Sequence, residues 1–184
     1  MLLLKNLELA RRDGDTIHAV IEGWGSASDG RAPGIMTPTS DGQVRAIRAA
    51  RKRAGSERPV DYIEGHGTGT VVGDAEEVRS LAATDEDPTG PALPIGSIKA
   101  VAGHTLAASG ALSTVKAVQM IRHQRIPSQP TTPAAEHPGL ASTRFHLAGH
   151  RDSRRPVRRV AVNSFGFGGA NSHLIVSHPE GTLS

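Results

Sequence analysis

The sequence predicts an α/β protein, a largely parallel layered sheet with helices packed on it. Three observations predict this. Short apolar runs of strand type alternate with longer segments of helical period. Three strand-like runs end in glycine-rich turns, His66–Thr70, Gly103–Thr105 and Phe165–Gly169, the position where α/β sheets place ligands. No repeat and no break in composition divides the chain, so residues 1–184 read as one domain long enough to bury a sizeable core.

Taken in order, Leu2–Leu4 reads as a strand fragment and residues 5–13 as a short helix ending at Asp13-Gly14. Thr16–Trp24 carries Ile17, Val20 and Ile21 and reads as a strand. Ser26–Ser40, rich in Gly, Pro, Ser and Thr, is a loop. Ser40 or Asp41 caps a helix that runs to Ala54 and stops at Gly55. Val60–Glu64 is a strand, and Asp74 opens a helix whose first turn holds Glu76 and Glu77. Asp85–Gly90 is an acidic surface loop, and Pro94–Ile98 is a buried strand. The next helix sets Ala107, Ala111, Val115, Val118 and Ile121 on one face. Residues 126–140 contain four prolines and form an extended connection. Thr143–Leu147, Val157–Asn163 and Ser172–Ser177 are strands, and the tail after His178 frays.

Composition narrows the function. No apolar run approaches the roughly 20 residues of a membrane helix, and Lys5 cuts Met1–Leu4 short of a signal peptide. A cytoplasmic protein is expected, with no membrane partner. The net charge is only +3, yet basic residues cluster at Arg45–Arg53 and Arg151–Arg159. Such clusters suit an acidic partner or simply a solvated helix face and loop. One Trp, one Tyr and three Phe give no stacking platform, so nucleic acid is not the expected partner. With no cysteine, the chain supplies neither a disulfide nor a thiolate zinc site nor a cysteine nucleophile.

The first two turns each set a histidine among small residues, which leaves the imidazole uncrowded and lets backbone approach a ligand. His66 and His104 are therefore the candidate catalytic histidines, although a histidine in such a turn is more often structural. His18, His123, His137, His146, His150 and His178 lack that setting and read as surface residues. A metal held by His66, Asp74 and His104 has no short-spaced ligand pair behind it, and no metal is expected. Neither Gly-Thr-Gly-Thr nor Gly-Phe-Gly-Gly is followed by the lysine of a phosphate-binding loop.

Longer motifs carry a resemblance. Glu64-Gly-His-Gly-Thr-Gly-Thr-Val-Val-Gly-Asp74 resembles the first histidine motif of β-ketoacyl synthases. Gly96-Ser-Ile-Lys-Ala-Val-Ala-Gly-His-Thr105 resembles their second, and Asn163-Ser-Phe-Gly-Phe-Gly-Gly-Ala-Asn171 their C-terminal glycine-rich loop. Asp13-Gly-Asp15, Ala19–Gly23 and Ser28-Asp-Gly30 also match what precedes the first histidine, so the resemblance covers nearly the whole chain.

The resemblance implies the C-terminal half of a thiolase-type layered fold, a mixed sheet packed with helices. It implies an acyltransferase that condenses carrier-bound thioesters by decarboxylation, with His66 and His104 stabilising the enolate through N–H donors. Lys99 is expected to order the site and keep both imidazoles neutral. The Phe167 N–H is expected to form half of an oxyanion hole, and its ring to gate the acyl pocket. Thr68 and Thr70 are expected to bond a pantetheine arm, or else simply to form the turn. Phe165 and Gly168 are placed beside the substrate, Phe165 also supporting the loop with Asn171. Glu77 and Asp74 are expected to support the site. No cofactor is expected beyond the phosphopantetheine of an acyl carrier protein.

Two positions depart from the family pattern. Val101 stands where asparagine is usual, which implies a small change in bonding near Lys99. Ser113 stands where fatty-acid enzymes have a glutamate that joins the lysine, which leans the chain towards polyketide metabolism. The cysteine of the family lies in the first half, which this chain does not contain. The expectation is a split synthase completed by a cysteine-bearing N-terminal half and dimerising when assembled. The alternatives are a non-catalytic companion that shapes chain length, an inactive fragment, and a thiolase-fold acyl transferase without decarboxylation.

Overall fold

A computed structural model describes residues 1–31, 34, 37–55, 58–130 and 136–182. Parts of the loop expected at 26–40 and of the proline-rich connection at 126–140, and residues 183–184 of the tail, lie outside them.

Six strands form one sheet: β1 (Val20–Ser28), β2 (Tyr62–Glu64), β3 (Leu93–Gly96), β4 (Phe145–Leu147), β5 (Arg159–Gly166) and β6 (Ala170–Ser177). Their order across the sheet is β1-β6-β5-β2-β3-β4. The sheet is mixed. β5, β2, β3 and β4 run parallel, whereas β6 lies antiparallel to both β5 and β1. The largely parallel expectation fails at this edge because Phe167–Gly169 is a tight 3-10 turn that returns the chain beside β5. A turn that short joins only antiparallel strands.

Among the described residues there are five α-helices, α1 (Leu7–Arg12), α2 (Ser40–Ala54), α3 (Val71–Ala83), α4 (Lys99–Ala102) and α5 (Ser109–His123), of which α2, α3 and α5 pack on the sheet. Ile47 of α2 and Leu81 of α3 join Ile63, Ile95, Ala161 and Phe145 on one face of the sheet. Ala117, Met120 and Ile121 of α5 join Tyr62, Val160, Val162 and Val176 on the other. The alternation of strand side chains between faces feeds both layers from the same strands.

Several boundaries differ from the sequence expectation. Leu2–Leu4 makes no strand and is exposed. The first strand begins at Val20 and runs to Ser28, because Gly23 and Gly25 let α2 lie directly on β1. A Cβ at either would overlap the Ala50 or Ala46 carbonyl. α2 is entered from Thr39, and its first N–H, on Ser40, donates to Glu76 Oε2 at 2.8 Å instead of to a local cap. Gly55 ends it in the left-handed region at φ 60°, as expected of a C-terminal glycine.

α3 begins three residues before Asp74. Thr70 is its N-cap, with Oγ1 accepting from Gly73 N–H, so Glu76 and Glu77 fall beyond the first turn. On α5 the buried stripe is Ser109, Ser113, Thr114, Ala117, Met120 and Ile121, while Ala107 and Ala111 are exposed. Small polar residues face the sheet there because β2 presents a carboxylate, Glu64, not an apolar side chain. The acidic loop is not wholly solvated either: Asp85 accepts from Arg144 Nε at 2.9 Å and Nη2 at 2.9 Å. Pro179–Thr182 forms a 3-10 turn.

Candidate active site

The parallel strands put three loops at one end of the sheet. β2, β3 and β5 end at Glu64, Gly96 and Gly166, and Glu64 lies level with both Gly96 and Val162. The loop after β2 carries His66, that after β3 carries Lys99 and His104, and that after β5 carries Phe167. The two candidate histidines therefore meet. Their ring centroids are 5.4 Å apart and nearly perpendicular, and the Phe165 ring stands 5.8 Å from His66.

The His66 turn is held from beneath. Both oxygens of Glu77, buried on α3, accept backbone N–H groups, Oε1 from His66 at 2.7 Å and Oε2 from Gly67 at 2.8 Å. Asn163 of β5 donates its amide to Oε1 at 2.8 Å. Burial pushes the Glu77 carboxyl up, opposed by these donors, which favour the ionised form. His66 itself is brought down to about 3, first by burial, then by Lys99 and His104, so the imidazole is neutral near pH 7.

The His104 turn holds itself. Leu106 N–H donates to His104 Nδ1 at 3.1 Å. A backbone N–H can only donate, so Nδ1 carries no proton and the neutral ring bears its hydrogen on Nε2. Leu106 takes φ 49° there, an unusual value for a residue other than glycine. Burial, then Lys99, lowers His104 from its ordinary value.

Lys99 opens α4 and is 9% exposed, so it is no solvent lysine; its Nζ meets no hydrogen-bond partner among the described residues. Burial lowers it, against the opposing charges of Glu77 and Glu64. Glu64 is fully buried at the end of β2. It accepts from Ile98 N–H at 2.7 Å and from Lys116 Nζ at 2.6 Å. Ser113 Oγ lies 3.5 Å from Glu64 Oε1, and Lys116, one turn on, pairs with that carboxylate, which makes no hydrogen bond to Lys99. Val101 is 73% exposed on α4.

The remaining expected residues surround these. Thr68 Oγ1 lies 3.0 Å from Thr70 Oγ1, so both hydroxyls serve the turn, and both residues line the groove. Asp74 Oδ1 accepts from Gly69 N–H at 3.2 Å and closes the same turn; burial raises it. Asp74 does not join the histidines around a metal position: among the described residues no three His, Cys, Asp or Glu side chains do so. Asn171 donates to Asp29 Oδ1 at 2.7 Å and to the Gly169 carbonyl at 3.1 Å, tying the last loop to the end of β1. Gly168 and Gly169 both take φ 75°, and a Cβ on Gly169 would come within 2.7 Å of the Asp29 Cβ. Phe167 is 64% exposed at the loop's tip.

A groove of about 850 Å³ runs from His66 and His104 past Phe165 and Phe167 to Gln43. A second cavity of about 450 Å³ lies behind, against Lys99, Gln129 and His137.

Sequence reasoning missed Glu64 and Lys116 as a buried pair and Gln129, whose side-chain amide holds Ser97 N–H at 2.9 Å and the Ser97 carbonyl at 3.2 Å. It also passed over Asn163 and the buried His173. Two histidines read as surface residues are not: His137 is half-buried at the second cavity, and His146 pairs with Asp152 at 3.1 Å. The basic clusters are partly engaged within the chain: Arg45 and Arg53 donate to the Ser28 and Trp24 carbonyls, and Arg159 pairs with Glu22 at 2.8 Å.

Residues 18–132 match the family described as "Beta-ketoacyl synthase, C-terminal domain". A highly reducing polyketide synthase of Dothideomycetidae sp. is 40% identical over 183 residues, covering 97% of this chain and 7% of that protein. A polyunsaturated fatty acid synthase polypeptide of Thraustochytrium sp. is 39% identical over 194 residues, covering 98% of this chain and 7% of that protein. An oxazolomycin ketosynthase domain of Streptomyces albus superposes with a TM-score of 0.86 at 33% identity, covering 95% of this chain and 32% of that chain. The chain belongs to the β-ketoacyl synthase family, as its C-terminal domain, and has the thiolase-type fold of ketosynthase domains. It spans less than a tenth of the length of the curated relatives it matches.

Proposed function

We propose that this chain supplies the enolate-stabilising side of a decarboxylative Claisen condensation between carrier-bound acyl thioesters, in polyketide or fatty-acid-like synthesis. The observation that carries the reading is the pair of neutral imidazoles at one end of the groove, with the His104 proton fixed on Nε2 by the Leu106 N–H. When a malonyl thioester loses carbon dioxide, the electron pair of the broken C–C bond forms an enolate with its charge on the thioester oxygen. N–H donors aimed at that oxygen stabilise the charge as it develops. The enolate carbon then attacks an acyl thioester, and the thiolate leaves.

In this reading His66 and His104 are the donors, and Lys99 keeps both neutral through its charge. The Phe167 N–H forms half of an oxyanion hole. The nucleophilic cysteine and the second N–H come from a cysteine-bearing N-terminal ketosynthase region. The carrier's phosphopantetheine enters the groove past Thr68, Thr70, Phe165 and Gly168, and the assembled synthase dimerises. A chain-length companion has no use for a neutral histidine pair beside a buried lysine, which weighs against that alternative.

His104→Ala in the assembled synthase tests the reading. Malonyl-carrier decarboxylation is expected to fall about a hundredfold or more, as for loss of one such donor. Unchanged product formation would leave only a companion role.

A further inference from the structure

Behind the His66 turn lies a polar chain that the proposed reaction does not itself use. His173, on β6, is 2% exposed, and its Nδ1 lies 2.6 Å from Asn163 Oδ1 on the neighbouring strand. Asn163 is fully buried and donates its Nδ2 to Glu77 Oε1 at 2.8 Å. Glu77 in turn holds the N–H groups of His66 and Gly67. The two strand residues stand directly opposite in the β5–β6 ladder.

The direction of every bond in this chain is forced. The Glu77 carboxylate, already accepting two backbone N–H groups, takes its third bond from the amide nitrogen of Asn163, not from its oxygen. That leaves Asn163 Oδ1 facing His173, so His173 must donate, and its hydrogen must sit on Nδ1. A side chain at 173 that cannot donate leaves Asn163 Oδ1 buried without a donor, a cost that loosens the Asn163 side chain and weakens its hold on Glu77. Burial keeps the ring neutral, so its proton stays where Asn163 needs it.

We infer that His173 is a positioning residue for His66, acting through Asn163 and Glu77 to fix the backbone that carries the imidazole. It touches no substrate. Its consequence for rate rests on the function proposed above; its effect on the turn does not.

The test begins with the unaltered full chain, labelled with nitrogen-15 at histidine. Long-range proton–nitrogen correlation is expected to show His173 protonated at Nδ1 and bare at Nε2. Protonation at Nε2 would overturn the inference. Next, amide hydrogen exchange is compared in His173→Leu and His173→Gln. In the leucine variant the protection of His66 and Gly67 N–H is expected to drop about tenfold, while the β5–β6 ladder amides hold theirs. Glutamine, which can still donate to Asn163 Oδ1, is expected to restore it. Equal loss along the whole ladder, or protection unchanged at His66 and Gly67, would show a role in strand packing alone and overturn the inference. Malonyl-carrier decarboxylation by the assembled synthase is read in parallel. A drop in kcat with KM unchanged in the leucine variant supports the inference. Absence of decarboxylation in the unaltered synthase overturns the proposed function and leaves the exchange result standing.

Discussion

His66 and His104 serve one site from opposite kinds of support. His66 sits on a turn anchored in the protein interior, its backbone gripped by Glu77 and its ring lowered to about 3 chiefly by burial. His104 sits on an exposed turn, and its ring is held locally by Leu106 two residues on. The buried turn gains a fixed backbone but needs a demanding polar network. The exposed one gains a fixed tautomer from a single bond.

Glu77→Ala breaks this contrast most forcefully. It leaves two backbone N–H groups and the Asn163 amide buried without their acceptor. A loss of about 3 kcal/mol or more in unfolding free energy is expected in a denaturant titration. His104→Ala removes an exposed ring with no such dependents. Its unfolding free energy is expected to stay within about 0.5 kcal/mol of the parent, even though the decarboxylation rate collapses. A large loss of stability there would show that the second turn is also tied to the interior.

Acid sharpens the same contrast. His66 and His173 both have folded values of about 3 against an ordinary 6.5, so between those values the unfolded chain binds protons that the folded chain refuses. The stability that these two histidines contribute is complete above pH 6.5 and is lost as pH drops towards 3. His173→Gln is expected to flatten that slope, whereas His104→Ala, at the exposed turn, flattens it less. Unfolding curves collected across this range check the ordering. The smallest effect is expected at Val101→Ala, which removes an exposed side chain and should alter stability by less than about 0.5 kcal/mol.

Much of the site was legible because its residues are local in sequence. The histidine turns, Lys99 and the glycine-rich loop each announce themselves within a few residues, and strand ends of a parallel sheet bring such turns together. Glu64, Lys116, Asn163 and His173 were not legible. Each reads as an ordinary member of its own strand or helix, and the bonds that link these elements reach far along the chain. Glu64 and Lys116 are 52 residues apart, and Glu77 and Asn163 are 86 apart. The α5 stripe failed at its N-terminal end, while Val118 and Ile121 do face the core, for a related reason. Apolar period points to Ala107, Ala111 and Val115, but the sheet offers that helix a buried carboxylate, so small polar residues turn inward.

The sequence by itself determined most element types, the three turns and the absence of a thiol nucleophile, because propensity, glycine placement and composition are properties of the chain alone. Only the tertiary structure decided that β6 runs antiparallel to both its neighbours, which carboxylate grips which turn, and where the protons of His104 and His173 reside. Those follow from burial, where every polar group must find a partner and the partner it finds depends on which strands and helices have been brought alongside.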